Sequence, residues 1–290
     1  AVVRQKRSWR EEGAGTPLPA RPAVLNAFLG ALPFTLTDAQ AAALDEVLSD
    51  TGSDRPMRRL LQGDVGSGKT VVAAAAMVVA VENGKKGALM VPTEILAEQH
   101  FMTLSRLLSR ADLDPDGEPV VELRAAGMSS PLVLGLLLGS QTKRVKDGVR
   151  AMLAQGAIDI VIGTHALIQE GVEIDDLALV VVDEQHRFGV LQRASIGDKG
   201  QRPHVLAMSA TPIPRSLALT VYGDLDISAI DQLPPGRKSV RTRWVESTRR
   251  EAAYELVRKQ VQEGRQAFIV CPLVEESEAV QSRAAVKEHD

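Results

Sequence analysis

The sequence predicts an α/β fold, a mostly parallel sheet covered by helices on both faces. Three observations predict it. Short apolar runs alternate with helix-like stretches from Leu32 onward; those runs are apolar on both faces, as in strands buried between two helix layers; and a glycine-rich loop, GDVGSGKT, joins the first strand to the first long helix. The composition supports such a core, since 44% of the 290 residues are hydrophobic and 24% are charged.

Taken in order, residues 11–22 (EEGAGTPLPARP) are rich in glycine and proline and read as a linker, so that 1–31 is expected to be a linker or remnant of a preceding region. Thr37 or Asp38 is placed to cap a helix through Leu48, with Ala41, Leu44, Val47 and Leu48 on one face. Strands are predicted at Arg59–Gln62, Ala88–Pro92, Val133–Leu138, Ile158–Ile162, Leu179–Val182 and Val205–Met208. Helices are predicted between them at Lys69–Val81, Glu94–Leu108 and Val145–Ala154. Leu233-Pro234-Pro235-Gly236 reads as a second linker, which makes 32–233 one lobe and 234–290 the incomplete start of another. That start holds a helix near Arg250–Gln260 and a strand at Ala267–Val270.

The single cysteine, Cys271, excludes an internal disulfide framework and a multi-cysteine zinc site, and it fits a reducing compartment such as the cytoplasm. No apolar run reaches the roughly 18 to 20 residues that a membrane span needs. A net charge of −3 provides no global attraction to nucleic acid, so such binding would depend on local basic stretches: Arg4–Arg10, Lys143–Arg150 and Arg237–Arg243. Each of these also reads as an ordinary solvated face. The chain opens Ala1-Val2-Val3 on basic, irregular sequence, from which a piece of a longer protein is expected.

The chemistry begins at Gly63–Thr70. Gly63, Gly66 and Gly68 let successive backbone N–H groups turn toward a phosphate, and the following helix adds its positive end; Ser67 lies within the same loop. Lys69 is placed to reach β and γ phosphates and the Thr70 hydroxyl to ligate Mg²⁺, so the loop predicts binding of ATP or a related triphosphate. The second signal is ALVVVDEQHRFGV, where a buried strand ends in two carboxylates. Asp183 is placed to hold Mg²⁺ and Glu184 to orient or deprotonate the attacking water. His186 is a poor metal ligand beside an oxygen-preferring ion, and a structural or coupling role suits it better.

Together with GDVGSGKT and DEQH, the stretches LTDAQ (36–40), VPTEILAEQH (91–100), IVIGTHALIQ (160–169), SATPIPR (209–215) and LPPGRK (233–238) resemble the RecG branch-migration helicases, in the DExH class of superfamily 2. The transcription-repair coupling factors share HRFGV and ATPIPR, but they typically carry an aromatic in the phosphate loop and Glu where this chain has Gln185. Ser67 and Gln185 suit RecG. The resemblance implies a RecA-like first motor lobe with the start of a second, and a DNA translocase that uses ATP and Mg²⁺. It further implies action on branched double-stranded DNA, at stalled forks and Holliday junctions, in repair and recombination, as a monomer.

By the same resemblance Gln40 reads the adenine edge, and Pro92, Thr93, Thr164 and His165 face the nucleic-acid backbone. Ser209 and Thr211, with Gln185 and His186, couple hydrolysis to movement. Leu113–Pro131 is longer than the family pattern and is expected to be a surface insertion. The family's amino-terminal wedge domain, and the remainder of the second lobe with its arginine finger, lie outside this sequence. A transcription-repair coupling factor-like translocase, an RNA-directed DExH helicase and a non-catalytic nucleotide-dependent interaction module remain as alternatives.

Overall fold

The computed structural model describes residues 15–109, 117–168, 171–183, 202–210, 225–232 and 242–270. The chain divides into two compact units, 1–237 and 238–290.

In the first unit the described strands are β1 (Arg58–Gly63), β2 (Lys86–Met90), β3 (Val120–Leu123), β4 (Leu132–Leu137), β5 (Ile160–Gly163), β6 (Leu177–Val182), β7 (His204–Ser209) and β8 (Asp226–Ile230). They form one sheet in the order β3-β4-β5-β2-β6-β7-β1-β8. Every pair is parallel except β3 with β4 at the edge. Parallel neighbours need crossover connections: α3 (Lys69–Glu82) joins β1 to β2, α4 (Glu94–Ser109) follows β2 and α5 (Lys143–Ala154) joins β4 to β5, whereas α1 (Pro22–Ala31) and α2 (Asp38–Thr51) precede β1 in the chain.

The period of two along each strand sorts its side chains into two layers. Leu61, Leu89, Val181 and Leu206 pack with α1 to α4 in the larger core, whereas Ala88, Met90, Val180 and Val182 pack with Val149 and Leu153 of α5 on the opposite face. Helices therefore cover both faces, as expected. Helix α3 is the central one: Val71 through Ala80 are all buried, and its run of alanines lets neighbouring backbones approach from several sides. No helix among the described residues is long and apolar enough to cross a membrane.

Three expectations are corrected. Residues 15–31 are not a linker in this structure. The Gly15 and Leu18 N–H groups donate to the Asp54 and Thr51 carbonyls at 2.7 Å each, and Pro22 starts a helix whose Phe28 is wholly buried. Glycine and proline in this stretch mark a tight entry and a helix start, where a proline costs nothing because the first N–H has no helical partner. Second, the stretch expected as a surface insertion contributes strand β3. Leu123 and Ala125 join the core, and Gly127 lies close against Val24 and Ala27 of α1. Third, Ala267–Val270 forms no strand, since a strand requires a hydrogen-bonded neighbour; Phe268 and Val270 are exposed.

Strand β8 has a sequence with few consecutive apolar residues, DISAI, and the sequence reading missed it. It pairs with β1 from Arg59↔Asp226 to Gly63↔Ile230. A largely buried Arg59 guanidinium reinforces the pairing, bonding Asp50 and Glu46 of α2 and the Ser228 hydroxyl.

In the second unit, a short 3-10 turn, Ser247–Arg249, leads into α6 (Arg250–Gln262), none of whose residues is buried. The Arg250 guanidinium lies over the Tyr254 ring at 5.5 Å, and Arg258 pairs with Glu251 at 2.9 Å.

Candidate active site at the carboxyl ends of the strands

β1 ends at Gly63 and runs into the loop that opens α3. Gly66 and Gly68 have φ of 76° and 87°, the left-handed region that an L side chain disfavours. At Gly68 a Cβ would also stand 2.2 Å from the Gln40 Nε2. The Ser67 N–H donates to the Asp64 carbonyl and closes the turn at 3.0 Å, while the Val65 N–H donates to the Asp64 carboxylate at 2.8 Å. The Lys69 ammonium donates to the Gly63 and Asp64 carbonyls at 2.7 and 3.0 Å, so it lies against the loop it belongs to. Ser67 is fully buried, and its hydroxyl has no hydrogen-bond partner among the described residues.

Gln40 sits under this loop. Thr37 caps α2 in a reciprocal box: the Gln40 N–H donates to the Thr37 hydroxyl, and the Thr37 N–H donates to Gln40 Oε1 at 2.9 Å. Gln40 Nε2 then donates to the Ser67 carbonyl at 2.8 Å. The residue expected to read adenine therefore also joins a helix cap to the phosphate loop. One amide N–H and one oxygen lone pair remain beyond these bonds.

The second element is β6, six buried apolar residues that end in Asp183. The Asp183 N–H donates to the Met90 carbonyl of β2 at 2.9 Å, and its Oδ2 accepts a hydrogen bond from His100 Nε2 on α4, also at 2.9 Å. Only β7 separates β6 from β1, and β7 ends in buried Ser209, opposite Gln62. Asp183 and the phosphate loop thus stand two strand spacings apart, roughly 9 to 10 Å, with Ser209 between them. Glu184, Gln185, His186 and Thr211 lie outside the described residues. The Thr70 hydroxyl and Asp183 carboxylate are hard oxygen donors, which fit Mg²⁺ shared with phosphate oxygens.

The residues expected to face nucleic acid gather further along the same edge, where β2, β5 and β4 are neighbours. Pro92 and Thr93 follow β2, and Thr93 caps α4: its hydroxyl accepts the Leu96 N–H at 3.3 Å and its carbonyl the Ala97 N–H. Thr164 and His165 follow β5. His165 is exposed, but Thr164 is 1% exposed and its hydroxyl is buried without a partner among the described residues; its carbonyl accepts the Leu167 N–H. Thr164 thus points inward where the turn exposes His165.

Glu94 was missed by sequence reasoning. Its carboxylate accepts the Ser140 N–H at 2.9 Å and so joins the β2 and β4 ends; hydrogen bonds from the Ser140 hydroxyl and N–H hold it below the usual carboxylate range. The signal for it lay in VPTEILAEQH, where an acid in a helix first turn has a ready capping explanation.

Residues 37–220 match the DEAD/DEAH box helicase family. Among curated proteins, the chain is 47% identical over 281 residues to the ATP-dependent DNA helicase RecG of Streptococcus pneumoniae, covering 97% of this chain and 39% of that protein. It is 45% identical over 284 residues to RecG of Thermotoga maritima, covering 98% and 34%. A solved structure of RecG bound to a three-way DNA junction superposes with a TM-score of 0.76 at 44% identity, over 93% of this chain and 34% of that one. The DEAD-box helicase Mss116, solved with single-stranded RNA and UDP-BeF, shares the fold at a TM-score of 0.56 and 16% identity, over 89% and 53%. The chain spans about two fifths or less of the length of these RecG relatives. A RecA-like sheet with the phosphate loop and Asp183 on strands flanking β7, matched through these relatives, shows that the chain belongs to the DEAD/DEAH box helicase family, with the RecG proteins as its near relatives.

Proposed function

We propose that the chain is the ATP-binding motor lobe, with the beginning of a second lobe, of a cytoplasmic, monomeric DNA translocase that remodels forks and Holliday junctions in repair and recombination. The observation that carries this reading is the placement of GDVGSGKT and Asp183 on β1 and β6, in a chain 44% identical to a RecG solved on a three-way junction. Domain limits of 15–237 and 238–290 suit the packing better than a start at Leu32.

In this mechanism the loop N–H groups from Gly63 to Lys69 hold the phosphates, and the Lys69 ammonium exchanges its carbonyl partners for phosphate oxygens. Thr70 and Asp183 would hold Mg²⁺. When bound, that ion neutralises phosphate charge and polarises the γ-phosphoryl group. Gln40 positions the adenine edge, and Glu184 orients the attacking water. Ser209, between the two halves of the site, relays the change at the γ-phosphate together with Thr211, Gln185 and His186. Pro92, Thr93 and His165 follow the DNA backbone at the neighbouring strand ends, positioning rather than reading sequence.

The test is ATPase activity of the full-length protein with forked DNA and with structured RNA. Forked DNA should stimulate it, and Lys69→Ala should abolish the stimulated rate. The 290-residue chain alone should bind nucleotide and scarcely turn it over, because an arginine finger contributes roughly 10³ to 10⁵ in rate. Preferential stimulation by RNA would replace the DNA reading, and a Glu184→Gln protein with intact biological activity would point to a binding switch.

A further inference from the structure

We propose that His100 is a positioning residue for Asp183: its Nε2–H holds one carboxylate oxygen and thereby sets the rotamer in which this acid meets the metal. The inference rests on the reading of Asp183 as the Mg²⁺ carboxylate. The bond is 2.9 Å long, and the two side chains are only 12% and 14% exposed, so water competes weakly for either partner. An ionised carboxylate accepts only, which makes His100 Nε2 the donor. Carboxylates that hold metals depend on such outer hydrogen bonds for their orientation, and removing one costs about 10- to 100-fold in metal affinity or activity.

The bond comes from a particular place. α4 begins at the cap formed by Thr93, and Glu94 in its first turn is tied to Ser140 at the end of β4. His100 lies six residues further on, about 9 Å along the helix axis. One rigid helix thus joins the strand-end rim proposed to follow DNA to the acid proposed to hold the metal. The bond to Asp183 uses the polar edge of the ring.

The experiment uses the full-length protein loaded with the β,γ-imido analogue of ATP. Mn²⁺ affinity is read by electron paramagnetic resonance, and affinity for a fluorescent ADP derivative in EDTA reports an intact phosphate loop. His100→Leu should weaken Mn²⁺ binding about 10-fold or more, with nucleotide affinity in EDTA unchanged. His100→Gln, whose amide can donate from a similar reach, should restore it, whereas the shorter His100→Asn should not. Native Mn²⁺ affinity in His100→Leu, or a His100→Gln as impaired as His100→Asn, overturns the proposal. If the leucine variant fails to fold, the glutamine and asparagine pair decides. Asp183→Asn separates the two readings: a variant that binds Mn²⁺ normally defeats the metal assignment itself, whereas loss there with a silent His100→Leu defeats only the role of His100.

Discussion

Phe28→Ala discriminates between a linker and a structural helix at residues 22–31. In a linker the substitution changes stability by no more than about 0.5 kcal/mol. In the structure Phe28 is fully buried and packs in the main core of the first unit with Leu18 and α3 residues. Truncating a buried phenylalanine removes its transfer free energy and leaves a cavity, about 3 to 5 kcal/mol together. For a domain of 150 to 250 residues each kcal/mol moves the midpoint by about 2 to 4 °C, so the expected fall in Tm is roughly 6 to 20 °C. The assay is thermal unfolding of the chain followed by circular dichroism, with Asn26→Ala on the exposed side of the same helix as the control. A fall of less than about 2 °C for Phe28→Ala would refute the packing argument.

Two further outcomes follow from local geometry. Gly68→Ala should weaken ATP binding beyond what the added methyl suggests, because it meets a left-handed φ and a Cβ position 2.2 Å from Gln40 Nε2, so that either the loop or the cap beneath it must shift; fluorescence titration of nucleotide checks this, and native affinity would contradict it. His204 carries the pH dependence. Its Nδ1 accepts the Met57 N–H and its Nε2–H donates to the Thr16 carbonyl, and burial pushes the imidazole below its usual range against the opposing pull of Thr16 and the Asp50 charge. The folded state therefore binds this proton less readily than the unfolded chain. The stabilisation is complete above the unfolded value near 6.5 and declines as pH falls from there through the lower folded value. Urea midpoints measured between pH 8 and 5 should fall on the acid side, and His204→Leu should flatten that slope.

Much of the candidate site was legible in the sequence because its proposed chemistry is local. A phosphate loop needs glycines, a lysine and a hydroxyl within eight residues, and a metal carboxylate needs a buried strand directly before it, so Gly63–Thr70 and Asp183 stand out in one dimension. Six strands and the helices between them were equally readable, since strands buried on both faces are mostly apolar. The elements that escaped are those whose identity depends on a neighbour. β3 and β8 are outer strands of mixed composition, recognisable only beside β4 and β1. α1 is short, begins at a proline and follows a glycine-rich stretch, and only its burial against α3 distinguishes it from a tether.

The sequence by itself determined the fold class, the phosphate loop, the acid that ends β6 and the family resemblance, because each is written in consecutive residues. Only the tertiary structure decided that β7 lies between the two halves of the site, that Gln40 is bonded to the Ser67 carbonyl, and that His100 reaches Asp183 across 83 positions. The same holds for Thr164, whose motif reads as a contact residue while its turn buries the hydroxyl. The reason is physical. Parallel strands adjacent in space are joined by long crossovers, so their order and the bonds between their ends are set by packing of the whole sheet, which no short stretch of sequence contains.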